Sequence, residues 1–176
     1  MRLRRVLCAA GASAAVAGAA LIATMPSAAA SQPGPWQPFR STPTSFAAGE
    51  VCPFAEEGIP VADEEMFRDL ASYPDGSPRE QEFAGLLTFK YTNLANGKSV
   101  VRNETGTALV FYAPDGTISF HGEGHIGLSV HIGNPPSTPA GEWVLTGTFD
   151  AVLHPDGTKD FTLEHGTADN LCDTLT

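Results

Sequence analysis

TISFHGEGHIGLSVHI, residues 117–132, alternates in polarity over most of its length. Its odd positions are Thr117, Ser119, His121, Glu123, His125, Gly127, Ser129 and His131. Its even positions are Ile118, Phe120, Gly122, Gly124, Ile126, Leu128, Val130 and Ile132. Strict alternation of this kind belongs to a β-strand, because successive side chains leave a pleated backbone on opposite faces. The apolar face needs a cover, and the polar face meets water or a wet cavity. At ~3.3 Å per residue the run is too long for one straight strand. Gly122 and Gly124 therefore mark a bend, a bulge or a break.

The alternation continues on both sides. Leu87, Phe89 and Tyr91 alternate with Thr88, Lys90 and Thr92, and Asn96-Gly97 then signals a hairpin into Ser99–Thr105. Thr107–Tyr112 is apolar on both faces, as a doubly covered strand would be. Glu142–His154 alternates again, with Trp143, Leu145, Gly147, Phe149, Ala151 and Leu153 on one side, and Phe161 and Leu163 extend the pattern. Phe46–Phe54 reads as a short first strand. Asp63–Ala71 fits either a short helix capped by Asp63, with Met66, Phe67 and Leu70 on one face, or a strand.

Three turns share one solution: Pro74-Asp75-Gly76, Pro114-Asp115-Gly116 and Pro155-Asp156-Gly157. Proline presets the first corner, aspartate bonds its own backbone, and glycine takes the left-handed position. The residues between them do not match, so three hairpins with the same turn explain the spacing better than a structural repeat. Gly133–Gly141 is a polar loop. The expected fold is all-β, an antiparallel meander of eight or nine strands. Closure into a small barrel would remove the exposed edges, and a sandwich is the alternative.

The N-terminus carries Arg2, Arg4 and Arg5 ahead of an Ala/Gly-rich apolar run to Met25, with small residues at Ala28 and Ala30. Residues 1–30 thus read as a secretory signal peptide, too weakly apolar to anchor in a membrane. Residues 31–45 hold four prolines and read as a flexible lead-in, with Trp36 and Phe39 available to dock. Residues 46–176 form one domain. The whole chain has a net charge of −10. Losing Arg2, Arg4 and Arg5 takes the mature part to −13 (seven cations against twenty acids). So acidic a body repels phosphate backbones and anionic lipid, which argues against nucleic-acid and membrane partners.

Cys52 and Cys172 remain after processing. An exported protein with two cysteines normally pairs them, here clasping the first strand region to the C-terminus. A reactive thiol or a metal pair is the other use of the same residues.

The order Thr92-Asn93…Asn96-Gly97-Lys98-Ser99-Val100, Gly106, Pro114-Asp115-Gly116, Pro155-Asp156-Gly157 and Thr167-Ala168-Asp169-Asn170-Leu171-Cys172 resembles a group of small secreted actinobacterial β-proteins. The resemblance covers the chain from about Cys52 to the end and rests mainly on turn residues and the terminal cysteine. It implies a secreted β-domain and lends no catalytic residue. The chain departs from it by placing His121, Glu123 and His125 on the central strand.

Those three residues form the sharpest chemical motif. Histidine and glutamate are good zinc ligands. On a straight strand, however, His121 and His125 lie about 13 Å apart, so one metal would take Glu123 with either histidine plus ligands from a second strand. A solvated polar face explains the same residues without chemistry. Gly122-x-Gly124-x-x-Gly127 spells a dinucleotide fingerprint, but alternation follows it where a helix N-terminus is required. No nucleophile motif is present; Glu123, Glu142 and Asp150 are candidates for acid–base pairs across strands, and Asn103-Glu104-Thr105 has the form of a glycosylation sequon. No motif calls for a cofactor.

The leading expectation is a non-catalytic secreted domain that binds a protein surface or a small apolar molecule, with Phe89, Tyr91, Phe111, Phe120, Trp143 and Phe149 lining the site. The alternative is an enzyme, metal-assisted through His121, Glu123 and His125 or acting in the barrel lumen.

Overall fold

The structure is a computed structural model and is described over residues 32–135 and 137–176. The signal-peptide reading of residues 1–30 lies outside the described residues.

Nine strands form one antiparallel sheet: β1 (Gln37–Pro38), β2 (Thr44–Phe46), β3 (Glu56–Ser72), β4 (Pro78–Asn93), β5 (Ser99–Asn103), β6 (Gly106–Tyr112), β7 (Ile118–Val130), β8 (Gly141–Leu153) and β9 (Lys159–Asn170). One turn of helix, α1 (Leu171–Thr174), follows. The order across the sheet is β1-β3-β4-β6-β7-β8-β9, with β2 also on β3 and β5 on β4. The segment left open between helix and strand is β3, because Asp63–Ala71 pairs with Glu80–Leu87 of β4. A short amphipathic helix gains little alone, whereas the strand finds a long partner ready.

The expected barrel is corrected. Among the described residues the backbone ladder is open between β9 and the other side of the sheet. Strand β5, which faces that gap, has only five residues and pairs with β4 alone. Side chains span the gap instead: the Arg102 guanidinium donates to Asp169 Oδ2 at 2.8 Å. The sandwich alternative is set aside too, since all nine strands belong to one sheet.

The three Pro-Asp-Gly turns are built alike, as expected. Gly76, Gly116 and Gly157 donate to Tyr73, Ala113 and His154 carbonyls at 2.9–3.0 Å. Asp75, Asp115 and Asp156 each accept the backbone N–H two residues on, at 2.9 Å. In the β4–β5 hairpin Gly97 alone takes positive φ, and Asn96 does not.

The bend foreseen in β7 belongs to a larger feature. Gly85, Gly106, Gly124, Gly147 and Gly166 are successive register partners across β4, β6, β7, β8 and β9. Four of them have φ between 109° and 147°. A Cβ on Gly106 would lie 2.8 Å from Glu123 O, and one on Gly124 would lie 2.8 Å from Gly106 Cα. Backbones approach too closely along this row for any side chain, so the sheet creases there. Beyond the crease the strands fold back. Leu128 and Val130 pack with Ala151, although Ala151 pairs with Phe120, which a straight strand would hold about 26 Å from Leu128. The loop after β7 then docks on the start of β9: Asn134 exchanges hydrogen bonds with the Lys159 backbone at 2.7 and 2.8 Å.

The other end of the sheet is plugged by the C-terminus. Leu171 and Leu175 are fully buried against Leu87, Phe89, Tyr91 and Val144. Asn93 and Asn96 hold the Leu175 carbonyl at 3.1 and 3.2 Å. Cys172 is bonded to Cys52, with Cα atoms 5.3 Å apart, which settles the thiol alternatives. The expected strand over Phe46–Phe54 is corrected: only Phe46 belongs to β2, and turns follow it to the bridged Cys52. Nor is β6 doubly covered; Val110 is buried but Phe111 is exposed.

Candidate functional site

The segment expected to be a flexible lead-in crosses the sheet as an ordered strap. Strands β1 and β2 tie it to β3 at two places. Phe39 N donates to Glu65 O at 2.9 Å, and Ser41 bonds Asp63 and Glu65 at 2.9 and 2.6 Å. The Phe39 ring stands edge-on to Phe83, centroids 5.3 Å apart, and Arg68 lies over Trp36 at 4.7 Å. Proline in the strap costs little, because its residues make few ladder bonds and the unfolded chain is already restricted.

Between strap and sheet lies a cavity of about 620 Å³. Phe39, Phe83, Phe89, Phe120, Phe149 and Val110 supply its apolar wall. Of the six aromatic residues expected to line it, Phe89, Tyr91, Phe120 and Phe149 do. Phe111 instead faces solvent, and Trp143 packs against Phe161 with its indole N–H on Pro139 O at 3.0 Å. Each correction has its own physical cause. Neighbouring residues Val110 and Phe111 lie on opposite faces of β6, and the fold-back gives Trp143 its own apolar partner.

A polar group occupies the other side of the cavity: Tyr91, Glu104, His125, Ser129 and Glu142, with Glu65 beneath the strap. The Tyr91 hydroxyl donates to Glu104 Oε1 at 2.6 Å. Gly127 makes room for this pair, since a Cβ there would lie 2.5 Å from Glu104 Oε2 and 2.8 Å from the Tyr91 hydroxyl. Burial pushes the Glu104 carboxyl up to about 7, against the Tyr91 hydrogen bond that lowers it. Burial pushes Glu142 up to about 8, against a hydrogen bond from Ser129; the nearby Glu56 and Glu104 charges add to the rise. Glu142 Oε2 has no hydrogen-bond partner although the residue is 2 % exposed. Behind the cavity, burial also raises Glu56 to about 7, and its Oε2 lies 3.2 Å from the bridged Cys52 sulfur. Desolvation disfavours the carboxylate form, so burial shifts all three acids toward the protonated form near neutral pH, Glu142 furthest, although the Lys159 charge opposes this at Glu142. In that form they donate hydrogen bonds; beside a cation they would ionise.

His121, Glu123 and His125 are not brought to one place. His125 faces the cavity and meets Thr146 Oγ1 at 3.0 Å. His121 and Glu123 border a smaller hollow of about 210 Å³ with Glu82 and Thr148. His121 Nδ1 lies 2.7 Å from Asp150, whose hydrogen bond raises the imidazole pKa. Among the described residues no group of three or more histidine, cysteine, aspartate or glutamate side chains is arranged to hold a metal ion. The proposed acid–base partners separate likewise, with Glu142 in the cavity and Asp150 on His121. Gly122 to Gly127 lie within strand β7, without the helix that a dinucleotide site needs.

No protein-family model, curated protein or solved structure matches the chain. The site therefore rests on its own geometry. Sequence reasoning missed Glu104, noticed only inside a sequon, and placed Glu142 on a polar face. The one hint was Val144, an apolar residue sharing that face with Glu142 and buried at 4 % exposure.

Proposed function

We propose that the domain is a secreted, non-catalytic binding protein for a small, largely apolar molecule held between strap and sheet. The observation that carries this reading is the 620 Å³ cavity with five phenylalanines in its wall. That volume suits a ligand of ordinary small-molecule size, and a mostly apolar wall with a few polar groups is the usual make-up of such sites. The resemblance to secreted actinobacterial β-proteins, the leader-like residues 1–30 and the Cys52–Cys172 bridge support export. Among the described residues no helix is long and apolar enough to cross a membrane.

The test uses the uncharged fluorophore N-phenylnaphthylamine. Saturable binding to the wild type is expected, together with its loss in Ala108→Trp, which fills the cavity from the β6 wall while leaving the fold intact by circular dichroism. Equal binding by the two proteins, or no saturable binding by either, would remove this reading.

A further inference from the structure

We infer that the cavity selects an organic cation, a molecule with an apolar body and an ammonium group that is received between Glu104 and Glu142. The inference rests on the small-molecule reading above and narrows it to a ligand class.

Three observations carry it. The cavity presents three carboxyls, Glu65, Glu104 and Glu142, against one guanidinium, Arg40, and one imidazole, His125. The Arg40 guanidinium lies 3.6 Å from Asp63 and is largely exposed, and its charge acts on Glu65 and not on the Glu104 and Glu142 carboxyls. Lys159 is not part of the wall; its ammonium donates to Ser129 O at 2.6 Å, and its charge only partly offsets the burial of Glu142. Second, Glu142 is buried with one oxygen lacking any partner. A buried carboxyl oxygen without a partner is costly whether or not it carries the proton, and once ionised it can accept a ligand's N–H. Third, Glu104 is held rather than free. The Tyr91 hydroxyl and the Gly127 backbone N–H both donate to it, and the missing Gly127 side chain gives it room, so this carboxyl stands pre-set at the cavity wall. Burial favours the protonated form of both acids, Glu142 more than Glu104, and an incoming ammonium reverses that preference. The proton released on binding leaves to solvent. Apolar rings around such a pair seat the ligand body and exclude water, which strengthens the charged hydrogen bonds.

A matched pair of fluorescent probes, naphthylmethylamine and naphthylmethanol, separates this inference from the reading beneath it. Both share one apolar body and differ in charge at neutral pH. The wild type should bind both, the amine about tenfold tighter or more. Glu142→Gln should erase the preference while leaving the alcohol's affinity within about twofold, and Glu104→Gln provides the same reading should the first variant fold poorly. Equal affinity for the two probes, tighter binding of the alcohol, or a preference unchanged in both variants would overturn the cation assignment and leave the apolar cavity standing. Binding of neither probe would overturn both.

Discussion

The rings of Trp143 and Phe161 lie 5.4 Å apart, although the β8–β9 register pairs Trp143 with Asn170 and Phe161 with Ala151. Eight residues of β8 separate Trp143 from Ala151, about 26 Å in a straight strand. The contact exists because β8 and β9 fold at Gly147 and Gly166. The cavity and the outer apolar cluster are thus made by one crease.

That crease is testable by comparing two glycines. Gly147 has φ of 122°, and a Cβ there would lie 2.9 Å from Gly166 Cα and closer still to His165 O. Gly157 also has a positive φ, 86°, but nothing within 4 Å. Gly157→Ala should cost about 1–2 kcal/mol, the conformational penalty alone. Gly147→Ala adds a backbone clash worth roughly 1–3 kcal/mol more. Urea denaturation of the two variants should separate them clearly; equal losses would mean that the crease tolerates a side chain.

The Tyr91–Glu104 pair makes a second case. Tyr91→Phe leaves a buried carboxyl oxygen without its donor, which should destabilise the fold by about 1–3 kcal/mol. In Glu104→Gln the hydroxyl keeps an acceptor, so the loss should be smaller. A double-mutant cycle by denaturation is expected to give a coupling of about 1 kcal/mol or more. Additive losses would show that the two groups do not act together.

How much of this was legible beforehand follows from what each feature depends on. The two-faced strand 117–132, the three Pro-Asp-Gly turns and the Cys52–Cys172 pair are local or compositional, and the residues declare them. The crease is not local. Gly85, Gly106, Gly124, Gly147 and Gly166 sit in five separate runs, and they become a row only once register is known. Closure is not written in the strand pattern, because it depends on the length of β5, which pairs over five residues only. Nor is the strap, because proline-rich composition conceals Phe39 and Ser41, whose partners lie on β3 and β4. The buried glutamates escaped because alternation assigns polarity to a face without saying what covers it.

The disulfide closes a loop with a sequence separation of 120 residues and pins α1 beneath the sheet. Constraint of the unfolded chain alone contributes about 4–5 kcal/mol, an upper figure that strain reduces. Reduction should therefore lower the urea midpoint markedly, and should also loosen Leu171 and Leu175. Hydrogen exchange at residues 171–175 checks the second part. Exchange unaltered by reduction would show that side-chain packing alone holds this segment.

Stability should fall as pH rises through neutrality. Burial raises Glu56 and Glu104 to about 7 and Glu142 to about 8, above the ordinary carboxylate value of 4.5. The folded protein then keeps protons that the unfolded chain releases, so its stability is greatest below the unfolded value. That stability drains away as pH climbs through 7 and 8. His121, raised by Asp150, acts in the same direction. The turn aspartates Asp75, Asp115 and Asp156 are lowered by their hydrogen bonds and oppose this only below the ordinary carboxylate range. Between about pH 5 and about pH 9 the unfolding free energy should drop by a few kcal/mol. Glu142→Gln, which cannot ionise, should flatten the upper part of that decline. Denaturation curves at the two ends of the range decide the matter. A stability that holds level or rises with pH would mean that water reaches these carboxyls in the folded protein.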